Sequence, residues 1–418
     1  MPKITKILLL AASVVLVLAV FLGVNASGVR AASDGDGAYR QINVYTEVLN
    51  HIQTDYVTEP NIPEVTNGAL RGLMEALDAD SSYLTPAEYK AYQAGLAPAG
   101  PEAQAGINIS KRYGYAIVVS VVPGSAADKA GLVDGDVLES IEGQDTKDIS
   151  LPMIERMLEG SPGSTLTVGV VRPSKPEPDK ITMTRTMTVE PPVGETLYEN
   201  ATILYLKPEI LNHEHVDQVE AKLKGMQKAG NKKVLLDLRD VAAGEMPEAE
   251  RLANFFLKSG TIASLEGQKF PKQVFAADPG KTINATAPVV VLVNRGTAGP
   301  AELVAAALGD NKRADVVGER TFGEGALQKK FELEDGAALI LTVAKYESPA
   351  GKKLQDEGVT PSVLVASGAD EGADADQGPA PGVVGAAGAA VQGAKAATRV
   401  QVDEQLTKAL EILKGKSA

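Results

Sequence analysis

No cysteine occurs anywhere in the 418 residues, so thiol catalysis, thiolate metal sites and disulfides are all excluded. Positive charge is scarce as well. Lys and Arg total 41 against 54 Asp and Glu, for a net charge of -13 at pH 7 and an isoelectric point of about 4.9. Phosphate backbones are held by clustered Lys and Arg, so nucleic acid is excluded as a partner. A third absence is local. The stretch "GTAGPAELVAAALGDNKRADVVGERTFGEGALQ", residues 296–328, reads as a tight turn after a buried strand, then a helix, then a Gly-rich turn carrying Glu324. Hydrolases often present a nucleophile on such a turn, yet no Ser, Cys or His stands there.

What remains is ample for folding. The length suits two or three domains, and 44% apolar residues can build a core in each. Lys3 and Lys6 precede an apolar run from Ile7 to Val24, and Val29 and Ala31 form a small-residue cleavage site. Residues 1–32 therefore read as an export signal, either cleaved or retained as an inner-membrane anchor. The expected location is the periplasm or cell envelope, with the working domains on the exported side.

Texture divides the rest of the chain. In 33–98, Ile42, Tyr45, Leu49, Ile52 and Tyr56 recur at helical spacing, as do Val65, Leu70, Leu73 and Leu77, and Thr85 stands as a cap before Pro86. Residues 99–190 change to short strands, "GINISK", "YAIVVSVV", "DVLESIEG", "TLTVGVVR" and "KITMTRTMTV", with helical stretches in "PGSAADKAGL" and "SLPMIERMLEG". From 191 to 366, the apolar strands "ATILYLK", "KKVLLDLR" and "PVVVLVN" alternate with helices, which predicts a layered α/β core. Residues 367–398, rich in Ala, Gly and Asp, lack the side chains for a core and read as a linker. Val402, Leu406, Leu410 and Leu413 then predict a closing helix within 399–418.

Four strings carry a resemblance. "LDADSSYLTPAEY", "VVPGSAADKAGLVDGDVLESIEGQDTKDISL", "RADVVGERTFGEGALQ" and "LTVAKYESPAGKKLQDEGVTP" resemble the carboxyl-terminal processing peptidases, or tail-specific proteases, the second string matching their PDZ domain. The resemblance implies a multidomain α/β fold: N-terminal helices, a PDZ-like β domain and a ClpP/crotonase-like core. It also implies peptide hydrolysis by a serine nucleophile and a lysine base, without a cofactor or metal. Laid on this chain, the family's serine falls on Gly299, its lysine on Glu324 and its glutamine on Gln328. Its oxyanion donors fall on Pro300, which has no N–H, and on the turn at Ala243 and Gly244. Framing residues Glu302, Arg313, Gly318, Gly323 and Gly325 remain. The PDZ carboxylate loop maps to Gly106, Ile107, Asn108 and Ile109, with Asn108 where the family usually has a second glycine; Asn tolerates a left-handed backbone there. The implied partners are peptide or protein C-terminal tails, and an active protease paralogue.

Two readings of activity stay open on sequence alone: a pseudoprotease that binds tails, and a peptidase with a rearranged site using Thr297 with Lys329 or Lys330. Plainer expectations stand beside the second. Thr297, Ser348 and Ser362 read as turn residues with local hydrogen bonds, and Glu324 as a solvated charge in a Gly-flanked turn. His213 and His215 read as a surface helix start rather than a metal cluster, because residues two apart on a helix point in different directions.

Overall fold

The computed structural model describes residues 35–95, 103–172, 177–187, 190–226, 228–367 and 403–417. The expected export segment 1–32, Val402 and all of the 367–398 linker except Ser367 lie outside the described residues. The chain divides into two compact units, residues 1–70 and 71–418. The first holds helix α1 (Gly35–Asp55) and the start of α2 (Ile62–Glu75). Both helices form where the periodicity predicts them. On α1, Ile42 and Tyr45 are exposed, and Leu49 and Ile52 are half-buried. Among the described residues no helix is long and apolar enough to cross a membrane.

The second unit opens with β1 (Ser82–Leu84) and α3 (Pro86–Gly95). Thr85 and Glu88 cap α3 reciprocally: the Thr85 N–H donates to Glu88 Oε2 (2.8 Å) and the Glu88 N–H to Thr85 Oγ1 (3.3 Å).

The PDZ-like region is a sheet of β2 (Ile107–Arg112), β3 (Tyr115–Val121), β4 (Val137–Ile141), β5 (Thr165–Val171) and β6 (Asp179–Thr184), antiparallel in that order. Two helices flank it, α4 (Ala126–Lys129) and α5 (Leu151–Leu158). Alternation on β5 sends Leu166, Val168 and Val170 inward against Leu138, Ile141, Ile154 and Leu158. Strand β2 is the sheet edge, paired only with β3 among the named strands.

The core holds β7 (Gly194–Tyr198), β8 (Ile203–Lys207), α6 (His213–Gly225), β9 (Lys233–Asp237), α7 (Met246–Asn254), β10 (Thr261–Glu266), β11 (Gln273–Ala276), β12 (Val289–Val293), α8 (Pro300–Asp310), β13 (Ala314–Gly318), β14 (Ala326–Glu332), β15 (Ala338–Glu347) and β16 (Val363–Leu364). Its main sheet runs β7-β8-β9-β12-β13-β16, parallel from β8 onward, with β7 antiparallel at one edge. A second antiparallel sheet joins β1, β15, β10 and β11, with β14 beside β15.

A parallel sheet flanked by helices must bury both faces, and the side chains alternate accordingly. Leu204, Leu206, Val234, Leu236, Val289, Val291 and Val293 join the cluster beneath α6, α7 and α8. Ile203, Leu235, Val290, Leu292 and Val317 point the other way, against Ala409 and Leu413 of the closing helix α9 (Glu404–Gly415). Polar contacts fix α9 in place. Arg239 bridges buried Asp237 (2.6 Å) and Asp403 (2.9 Å), and Lys233 Nζ donates to the Leu413 carbonyl (2.6 Å).

Candidate functional site

Strand β12 ends in a turn that the core holds from within. Thr297 is fully buried: its hydroxyl donates to the Leu238 carbonyl (2.8 Å) and accepts the Asn294 N–H (3.0 Å). The local-bond reading of Thr297 holds for the Asn294 contact, whereas the hydroxyl donates to a residue 59 positions away, and a hydroxyl so enclosed is shielded within the core. Two residues on, Gly299 adopts φ 54° and ψ -116°, a strained strand-to-helix corner that only glycine enters freely. A Cβ built there would lie 3.8 Å from the Ala242 carbonyl oxygen and 3.8 Å from the Glu324 carboxyl carbon and Oε2, with nothing nearer. Gly299 and Glu324 therefore face one another, with a Cβ at residue 299 reaching van der Waals contact with the Glu324 carboxyl. Pro300 follows as the first residue of α8, where its fixed φ suits the helix and no N–H is offered.

Glu302 ties the two halves of this corner together. Its carboxylate is fully buried and accepts the N–H groups of Gly299 (3.0 Å), Gly323 (2.8 Å) and Glu324 (2.7 Å), together with the Thr321 hydroxyl. Burial pushes its pKa up to about 7, opposed by those donors. The turn is held from its other side too: the Gly325 N–H donates to Gln355 Oε1 (2.8 Å), and the Phe322 N–H to the Thr297 carbonyl (3.0 Å).

Glu324 is not the solvated turn residue expected from the sequence. It is half-buried in a cavity of about 270 Å³ between the core and the PDZ-like sheet, lined also by Glu155, Glu159, Leu158, Ala242 and Gly106 to Ile109. Burial pushes its pKa up to about 8, with Asp80, Glu302 and Glu155 adding repulsion. Asp80 itself rises to about 6 and Glu155 to about 7, burial first in each case. Neither Asp80 nor Glu155 was singled out from the sequence, because no local pattern shows that distant carboxyls converge.

The assigned peptide loop needs a correction. Only Gly106 is loop; Ile107, Asn108 and Ile109 belong to edge strand β2. The left-handed backbone belongs to Gly106 (φ 81°), where a Cβ would stand 2.2 Å from Ser125 Cβ. Asn108 needs no such backbone. It sits beside a β-bulge, its side-chain amide donating to Ser120 Oγ (2.8 Å).

The remaining candidates are dispersed. Gln328 is exposed on β14 and does not line the cavity. Ala243 accepts the Leu211 N–H (3.0 Å) and Gly244 bridges to Leu211, so this turn is knitted to the start of α6. Lys329 and Lys330 are exposed on β14, Lys330 paired with Glu332 (3.3 Å). Ser362 is bonded to both Val316 N and O (3.0 Å each). Buried His215 contacts Asn212 Oδ1 and the Pro191 carbonyl, whereas exposed His213 meets Glu248, so the two imidazoles do not converge. Among the described residues no group of three or more His, Asp or Glu is placed to hold a metal. Arg313 reaches the carbonyls of Phe256, Asn284 and Ala287, a role within the framework.

Comparison with known proteins agrees with this architecture. A model for peptidase family S41 matches residues 202–365, and a PDZ domain model matches residues 117–172. The chain is 32% identical over 326 residues to carboxyl-terminal-processing peptidase 2, chloroplastic, of Arabidopsis thaliana, covering 74% of this chain and 62% of that protein. It is 30% identical over 315 residues to the C-terminal processing peptidase, chloroplastic, of Tetradesmus obliquus, covering 71% and 67% respectively. The solved photosystem II D1 C-terminal processing protease superposes with a TM-score of 0.64 at 26% identity, over 77% of this chain and 92% of that one. The chain belongs to the carboxyl-terminal processing serine protease family and carries a PDZ domain.

Proposed function

We propose that this chain is an exported, catalytically silent member of its family, which holds peptide or protein tails in its PDZ groove and acts as a scaffold or regulator, with an active paralogue as a candidate partner. The PDZ domain is taken as 99–190 and the peptidase core as 191–366. One observation carries the reading: the positions assigned to nucleophile and base, Gly299 and Glu324, face each other within 3.8 Å of a would-be Cβ, and neither side chain supplies the needed chemistry. A hydroxyl is a weak nucleophile until a neighbour takes its proton, and here there is no hydroxyl to activate. Pro300 also removes an oxyanion donor. Loss of nucleophile or base alone costs on the order of a millionfold in turnover in serine proteases.

The test follows hydrolysis of an unstructured fluorogenic peptide with a free C-terminus, by the exported portion and by the variant Gly299→Ser, Pro300→Ala, Glu324→Lys. The expected outcome is no turnover by the natural chain and measurable turnover by the variant, since a Cβ at residue 299 meets no atom closer than 3.8 Å and the remaining cost is backbone strain. Turnover by the natural chain that disappears on Thr297→Ala would overturn the reading.

A further inference from the structure

The groove that opens onto Glu324 has a charge of one sign. Among the described residues its lining carries the carboxyl groups of Glu155, Glu159 and Glu324 and includes no Lys, Arg or His. Glu159 is paired with Arg156 of its own helix end. Glu324 differs: among the described residues, the charged groups that push its pKa up are carboxyls, Asp80 from the segment before β1, Glu302 from α8 and Glu155 from α5. Arg112, a cation that does reach this turn, is engaged elsewhere, donating to the Phe322 carbonyl (2.5 Å) with its guanidinium 4.3 Å from the Phe322 ring centre. A half-buried carboxyl at the inner end of a peptide-sized groove, repelled on three sides, lacks a counter-charge that a ligand can bring.

The groove also has the backbone features that seat a chain. Strand β2 is a sheet edge beside α5, and Gly106 immediately precedes it. A peptide added along that edge extends toward Ala242 and Glu324 in the same cavity.

We propose that this groove selects chain ends bearing a lysine or arginine side chain near the free carboxylate, the cation pairing with Glu324. The inference rests on the reading of the groove as a tail-binding site and names the chemistry of its ligand. Below pH 8 a neutral tail leaves Glu324 largely protonated, whereas a cation must displace that proton into solvent; above pH 8 the cation meets a carboxylate that is already ionised. Selectivity for the basic tail therefore grows as pH rises through about 8 and shrinks toward pH 6, where the neighbouring Asp80 and Glu155 also take up protons.

The experiment uses fluorescein-labelled ten-residue tails with a free C-terminus, each carrying one lysine or its neutral counterpart norleucine at one of the last six positions. Binding to the exported chain, and to its Glu324→Gln and Glu155→Gln variants, is followed by fluorescence anisotropy at pH 6 and pH 8.5. The expected result is one lysine position that binds about tenfold tighter than norleucine at pH 8.5. That advantage disappears in Glu324→Gln, while the norleucine tail binds parent and variant alike, which also shows that the variant is folded. Equal binding of lysine and norleucine tails at every position, or a lysine advantage that survives Glu324→Gln, overturns the inference and leaves the tail-binding reading standing. Absence of binding by every tail, with no effect of amidating the C-terminus, overturns both.

Discussion

The N-terminus of α8 and the groove it faces each present a glutamate, and the two lie one hydrogen bond apart in opposite circumstances. Glu302 is fully buried and meets four donors, one of them the Glu324 N–H. Glu324 is half-buried in the lining of the groove, and the charged groups that push its pKa up are other carboxyls. The turn before α8 and the Gly-rich turn are thus held to one another through a single buried carboxylate, while among the described residues the carboxyl of Glu324 itself is left free of such donors. Shape and chemistry are separable in this corner: hydrogen bonds to backbone fix where residues 299 and 324 stand, whatever side chains they carry.

The contrast is broken most severely at Glu302. Glu302→Ala leaves three N–H groups and a hydroxyl without their acceptor in a dry site, and should destabilise the fold by about 3–5 kcal/mol in urea unfolding. Glu302→Gln, which keeps one acceptor oxygen, should cost clearly less. Leu413→Ala tests a region remote from this corner. It leaves a cavity against Leu235 and Val290 and should cost about 2–4 kcal/mol without changing tail binding, as read by parallel unfolding and anisotropy measurements.

Glu324→Gln should act in the opposite direction. Its folded-state pKa of about 8 exceeds the ordinary value of 4.5, so between those values the folded chain binds the proton more tightly than the unfolded one. Parent stability from this group is complete below the lower value and is lost as pH rises through the upper one. The Gln variant should therefore be more stable than the parent by about 1–2 kcal/mol at pH 9, after allowance for water in the cavity, with the gap narrowing toward pH 5. Melting temperatures across that range give the sign directly. Smallest of all, Gln328→Ala on exposed β14 should shift stability by less than about 0.5 kcal/mol. It should leave tail affinity unchanged, which distinguishes a bystander from a groove residue.

Sequence made much of this readable, for identifiable reasons. The strands of the parallel sheet are continuous apolar runs such as Val289–Val293, buried on both faces, and the Thr85 cap rests on contacts within a few residues. Strands β7 and β11 escaped notice because Gly194–Tyr198 and Gln273–Ala276 lie at sheet edges, are largely exposed and show no inward face. The surroundings of Glu324 were illegible for a different reason. Its neighbours Asp80, Glu155 and Glu302 come from three distant segments, and only the approach of the PDZ-like sheet to the core turns a Gly-flanked loop residue into an enclosed acid. Asn108 differs from the expected loop residue because the strand begins at Ile107, so three of the four residues Gly106 to Ile109 are already strand.

Helix α9 has a consequence in time as well as in space. Lys233 grips a carbonyl 180 residues further along the chain, and the second face of the main sheet is covered by residues 404–415. During synthesis the sheet strands therefore emerge long before their cover does, and Ile203, Leu235, Val290, Leu292 and Val317 wait without a partner. Contacts of such sequence separation form late and slowly, so docking of α9 is the natural last step of folding.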